Sequence, residues 1–145
     1  EAFGRGDYRA AGDLFRKGAQ ADPSDIELVA NLGFALLRAD DIDGAAGVLG
    51  AALMLNPRRT ASWTPLAEYF ARIDAYDFAV RSLLVAYNYS RNQETTFKFY
   101  SEKAQTEPIA ELRRAYQAAV EVIDANAYGY FTPGVLEGLQ LPSFD

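Results

Sequence analysis

The 145 residues include no Cys and no His. That removes thiolate nucleophiles and zinc-thiolate sites, together with the commonest metal ligand and the commonest general base. Any chemistry would have to rest on carboxylates. Asp40, Asp41 and Asp43 are dense enough to suggest calcium, but the Gly and the distant Glu of an EF-hand loop are missing, so a solvated turn is expected. Glu107 and Glu111 stand about one helical turn apart and could share a proton if both were buried; solvated faces are the commoner outcome for such pairs. Gly4, Gly6, Gly44, Gly47 and Gly50 form no phosphate loop, because no Gly-Lys-Ser/Thr follows them. They read as small residues in turns and tight helix contacts. No catalytic residue, metal site or cofactor is expected, and the chain reads as not an enzyme.

Charge and hydropathy narrow the classes further. The net charge is -6, and the fourteen Lys and Arg residues are dispersed along the chain. This argues against nucleic acid, whose phosphates need clustered cations. No apolar run approaches the roughly 18 residues of a membrane span, and no basic-then-apolar leader opens the chain at Glu1. Absence of Cys suits the cytoplasm and the bacterial periplasm equally. Half of the residues are hydrophobic, enough for a core of ordinary single-domain size.

The elements that hold these residues are legible in a repeat. Between Ile26 and Arg59, Val29, Leu32, Gly33 and Leu36 share one helical face, Ala45 and Leu49 follow four apart, and Pro57 closes the unit. About 34 residues onward stand Trp63, Leu66, Ala67, Phe70, Ala79 and Leu83; the same step backward from Ala45, Leu49 and Pro57 reaches Ala11, Phe15 and Pro23. One template is read three times. On these residues the chain resembles the tetratricopeptide repeat family, with its W-x2-L-G-x2-Y, A-x3-F and P pattern; Val29 stands for the Trp, Leu36 for the Tyr, and Leu49 and Leu83 for the Phe. The resemblance implies an all-α, right-handed solenoid of helix pairs.

Taken in order, the expected domain is a solenoid over 1–126 with a partial first repeat (1–25), two full repeats (26–59 and 60–93) and a divergent capping pair (94–126), followed by an aromatic tail over 127–145. Gly6, Asp7 and Tyr8 stand where a repeat turns into its second helix, so the natural protein is expected to extend upstream. That second helix should run from Asp7 to Ala21. Ser24 offers an N-cap and Glu27 completes a capping box for a helix to about Ala39. Helices over Ile42 to Leu55, Ser62 to Arg72 and Tyr76 to Asn88 follow, with Pro65 placed in a first turn where its missing N–H matters little. Phe97, Tyr100, Ser101 and Ala104 keep the register of a fourth unit. Arg113 and Gln117 then stand where Ala and Phe should be, while the apolar stripe runs through Ile109, Leu112, Tyr116, Ala119, Val120 and Ile123. Pro108 to Ala125 is therefore read as a longer capping helix that hides the last hydrophobic face. Tyr128, Tyr130 and Phe131 in the irregular tail are expected to pack on it.

In the family the first helix of each pair lines a concave groove. Transferred by register, the resemblance assigns to that groove Glu27, Ala30, Asn31, Phe34, Leu37 and Arg38, then Ala61, Thr64, Glu68, Ala71 and Arg72, then Thr95, Lys98, Glu102 and Gln105. Phe34 and Leu37 would form an apolar wall, with Arg38 and Arg72 adding positive charge one repeat apart. One subclass grips a C-terminal carboxylate with Lys, Asn and Arg; Asn31 matches one such position, but Ala61 and Pro65 replace the basic ones. The resemblance implies a protein-interaction scaffold that binds a peptide or helix of a partner. The alternatives are a docking or regulatory region of a larger enzyme or export machine, and a secretion chaperone.

Overall fold

The computed structural model describes residues 5–22 and 24–125. These form seven helices and, among the described residues, no strand: α1 Arg5–Ala21, α2 Ile26–Arg38, α3 Ile42–Leu55, α4 Thr60–Arg72, α5 Tyr76–Asn88, α6 Gln93–Thr106 and α7 Ala110–Ala125. Consecutive helices pair as α2 with α3, α4 with α5 and α6 with α7, and the pairs stack into an α-solenoid. Pro23 and the expected tail, including Tyr128, Tyr130 and Phe131, lie outside the described residues.

Local chemistry explains most of the boundaries and corrects three. The N-cap of α2 is Asp25, not Ser24: its carboxylate accepts from Glu27 N at 3.1 Å and Leu28 N at 3.3 Å. A carboxylate satisfies two first-turn donors and suits the positive end of the helix dipole. Ser24 Oγ instead donates to Asp22 Oδ1 at 2.7 Å. At the chain start, α1 continues through Gly6 and Asp7 as helix where a turn was expected. At the other correction, α4 starts at Thr60, so Pro65 lies inside the helix and cannot donate to the carbonyl one turn back.

The two inner corners are built alike. Asp40 and Asp74, one period apart, both take left-handed backbone, with φ of 65° and 60°. Around them Asp41 N donates to Leu36 O at 2.8 Å and Asp40 N to Leu37 O at 3.1 Å; Ala75 N donates to Phe70 O at 2.8 Å and Asp74 N to Ala71 O at 3.3 Å. This satisfies the last carbonyls of α2 and α4, as helix-terminating motifs with a left-handed residue do. The acidic turn is thus structural: Asp41 Oδ1 accepts from Gly44 N at 3.0 Å and caps α3. No metal-holding group exists among the described residues.

Tight packing within a pair depends on the small residues of the template. Gly33 is buried in α2, and a Cβ there would run into the side chain of Leu49, itself fully buried in α3. Ala45, Ala67 and Ala79 are likewise fully buried. One core runs from Leu32 in α2 to Ile123 in α7 and includes Leu37, Leu49, Trp63, Leu83, Tyr87 and Tyr100.

The last pair departs from the repeat in a defined way. α4 lies against both helices of the pair before it, α2 and α3; in the same manner α7 lies against both α4 and α5, whereas α6 meets α5 lightly and rests on α7. Leu112, Ala115, Tyr116, Ala119 and Ile123 are the buried stripe of α7. The off-template residues face back to α6: Gln117 Nε2 donates to Ala104 O at 2.9 Å and Arg113 Nη1 to Glu107 O at 2.8 Å. Arg113 and Gln117 interrupt the register because that side of α7 meets a row of helix-terminal carbonyls, where donors are favoured over apolar groups.

Candidate functional site

The inner helices α2, α4 and α6 present their ends to two cavities. Glu27, Ala61 and Thr95, spaced by the repeat, line one of about 490 Å3 together with Arg58, Arg59 and Arg91. At the opposite ends Arg38 and Arg72, also one repeat apart, line another of about 310 Å3 with Tyr8, Lys103, Glu107, Pro108 and Ile109. A third, of about 440 Å3, lies between α1 and α2 and is walled by Tyr8, Phe15, Asn31, Phe34 and Arg38.

The Phe34 ring is half-buried, with the Arg38 guanidinium 5.4 Å above its centroid. Asn31 is exposed beside it. α1 therefore furnishes one wall of the Phe34 cleft, while the cleft itself remains a cavity. Leu37 does not join that wall. It is fully buried, and Ala30 and Ala71 are 4% and 2% exposed, so these three expected groove residues serve the core. They stand on the side of the inner helices that meets neighbouring helices, where an apolar residue is removed from water.

Glu68 was expected as an exposed groove residue; the structure makes it a buried carboxylate, 1% exposed. Its Oε1 accepts from Arg38 Nη2 at 3.0 Å and its Oε2 from Arg72 Nε at 3.2 Å. Arg72 also lies 3.6 Å from Asp40. Burial works against the Arg38 cation, but the hydrogen bond and charge of Glu68, with a contribution from Tyr8, outweigh it and raise its pKa. The Arg38 and Arg72 side chains are 42% and 22% exposed, while Glu68, which they share, is 1% exposed. Every cation at this end is paired: Arg38 and Arg72 share Glu68, Arg72 also meets Asp40, and Lys103 lies 3.8 Å from Glu107.

The remaining positions divide. Thr64 is half-buried, and its hydroxyl donates to Thr60 O at 3.0 Å. Lys98 is exposed but faces a separate cavity of about 540 Å3 with Tyr87, Gln93, Glu94 and Phe97, away from α2 and α4. Glu102 and Gln105 are exposed on α6. Glu107 and Glu111 form no dyad: Glu107 is buried, 3.8 Å from Lys103 and accepting from Ile109 N at 3.1 Å, while Glu111 is exposed.

The register did not select Arg58, Arg59, Arg91, Tyr8 and Lys103. Arg91 carried a signal, since it replaces the closing Pro57 one period later; Lys103 and Tyr8 reach the groove only through the placement of α6 and α1. Two buried phenols lie in the core beneath α6 and α7. Tyr100 Oη donates to Leu83 O at 2.8 Å. Burial raises the Tyr100 and Tyr116 pKa values well above the ordinary phenol range, with Tyr116 pushed further by Glu107 and Glu68.

No curated protein and no solved structure matches the chain. The tetratricopeptide repeat model matches residues 2–68, which span α1 to α3 and most of α4. Residues 2–68 are thus similar to tetratricopeptide repeats, and the seven helices stacked in pairs are those of an all-α helical-repeat solenoid.

Proposed function

We propose that the chain is a non-enzymatic interaction module that holds a peptide or helix of a partner protein in the groove lined by α1, α2 and α4. Tetratricopeptide repeats generally mediate protein–protein interaction. The observation that supports the finer reading is the juxtaposition of the Phe34 cleft with Arg38 and Arg72, whose side chains are both hydrogen-bonded to the buried Glu68. An apolar cleft supplies affinity, and positioned cations supply register and on-rate.

The test is site-specific photocrosslinking in the full-length protein within its own cells. A benzophenone amino acid replaces Phe34 or Asn31 in the groove, or Met54, which is 80% exposed on α3. Discrete adducts from positions 34 and 31, and none from 54, are expected. Adducts from position 54 alone would move the partner to the outer helices and refute the groove.

A further inference from the structure

A cluster of arginines at the other end of the concave side deepens this reading and rests on it. The turn between α3 and α4 carries Arg58 and Arg59, and the turn between α5 and α6 carries Arg91; the stacking of repeats brings both turns to the rim of the 490 Å3 cavity. All three are exposed. Among the described residues neither Arg58 nor Arg91 takes part in an ion pair, and Arg59 has only Glu27, exposed and 3.8 Å away. A pair of that kind contributes little in water. Three cations against one carboxylate leave a local charge of +2 (3 − 1) on a chain whose net charge is -6. Repeat-related turns thus gather unpaired positive charge around one cavity of an acidic chain.

We propose that this cavity is an acidic-residue pocket, taking a partner segment with at least two neighbouring Glu or Asp side chains across the ends of α2, α4 and α6. The volume falls within the roughly 300–1,000 Å3 of ligand-sized clefts. Two turns, and not one converging fork, carry the cations, which suits several separated carboxylates better than a single phosphate. The overall negative charge of the chain disfavours a long polyanion such as nucleic acid. Its cations stand in the turns between repeats and not at the helix positions of the carboxylate-gripping subclass, two of which are Ala61, on the wall of this cavity, and Pro65 here.

Fluorescence anisotropy of the full chain with a labelled peptide containing Glu-Glu-Ala-Glu-Glu tests this, with Gln-Gln-Ala-Gln-Gln in the same flanks as the control. The acidic peptide should bind, the Gln peptide should not, and affinity should fall as salt rises. Arg58→Glu combined with Arg91→Glu, both exposed and outside the core, should weaken binding about tenfold or more at an unchanged melting temperature. Phe34→Ala should leave this peptide's affinity intact, so loss of the Phe34 cleft and loss of the pocket are read separately. No binding of the acidic peptide, equal binding of the Gln peptide, or full affinity in the double variant would each overturn the assignment. So would a loss caused by Arg38→Gln in place of the turn variants, which would locate the cations at the other end.

Discussion

Replacing Glu68 with Ala tests whether the buried carboxylate ties two repeats together. The side chain is 1% exposed and joins α4 to α2 through Arg38 at 3.0 Å and to its own helix through Arg72 at 3.2 Å. Hydrogen bonds to charged groups contribute about 1.5–3 kcal/mol each, and breaking a fully buried pair costs about 3–5 kcal/mol because a charge is left behind without compensation. Here the charges left behind can rehydrate, since the Arg38 and Arg72 side chains are 42% and 22% exposed and Arg72 keeps Asp40 at 3.6 Å. The expected loss is therefore about 2–3 kcal/mol, below the range for a fully buried pair. Urea unfolding followed by circular dichroism should show a lower midpoint at unchanged m-value. A double-mutant cycle with Arg38→Ala should return a coupling of about 1 kcal/mol or more, as for residues in direct contact. A midpoint shift under about 0.5 kcal/mol, the scale of an ordinary surface substitution, would refute the idea that Glu68 joins the repeats.

Gly33→Ala should destabilise by about 1–3 kcal/mol through overpacking, because the added methyl runs into the buried Leu49; an unchanged urea midpoint would show that α2 and α3 can separate freely. Alkaline pH should unfold the protein steeply. Tyr100 and Tyr116 hold their protons in the folded state above the value at which the unfolded chain loses them, so their stabilisation is complete below about pH 10 and is lost as pH rises beyond it. With both groups linked, stability should fall by up to about 2.7 kcal/mol per pH unit there. Tyr116→Phe should halve the slope in a pH series of urea midpoints, and an unaltered slope would exclude this origin.

Period and polarity made the helices and their pairing legible because each repeat buries the same face: Leu32, Leu66 and Tyr100 recur one repeat apart, and all are buried. Helix ends were legible only to within a residue or two, since Ser24 and Asp25 are both competent caps and competition between them is decided by geometry. The site was harder. Sequence register says which side of a helix faces inward, but not where the inner face changes from core to surface, so Leu37 and Glu68 were assigned to the groove although α2 and α4 bury both. For α7 the register failed for a physical reason, because it packs against α4 and α5 with a stripe the repeat does not use. Arg58, Arg59 and Arg91 lie in turns, where no periodic signal points to a common cavity; only stacking brings them together.

The two kinds of junction in the solenoid differ in how readily a single substitution can alter them. Inner corners at Asp40 and Asp74 are closed by backbone hydrogen bonds, which any side chain tolerating a left-handed residue would preserve. The junction between α3 and α4 is held by side chains reaching back: Ser62 Oγ donates to Asn56 O at 2.6 Å, and Trp63 Nε1 to Pro57 O at 2.7 Å. The angle within a hairpin is thus fixed by the main chain, whereas the angle between repeats is written in two replaceable residues. Superhelical pitch, and with it the span between the arginines at the two ends of the groove, is the quantity that point mutation in such a chain can tune most cheaply.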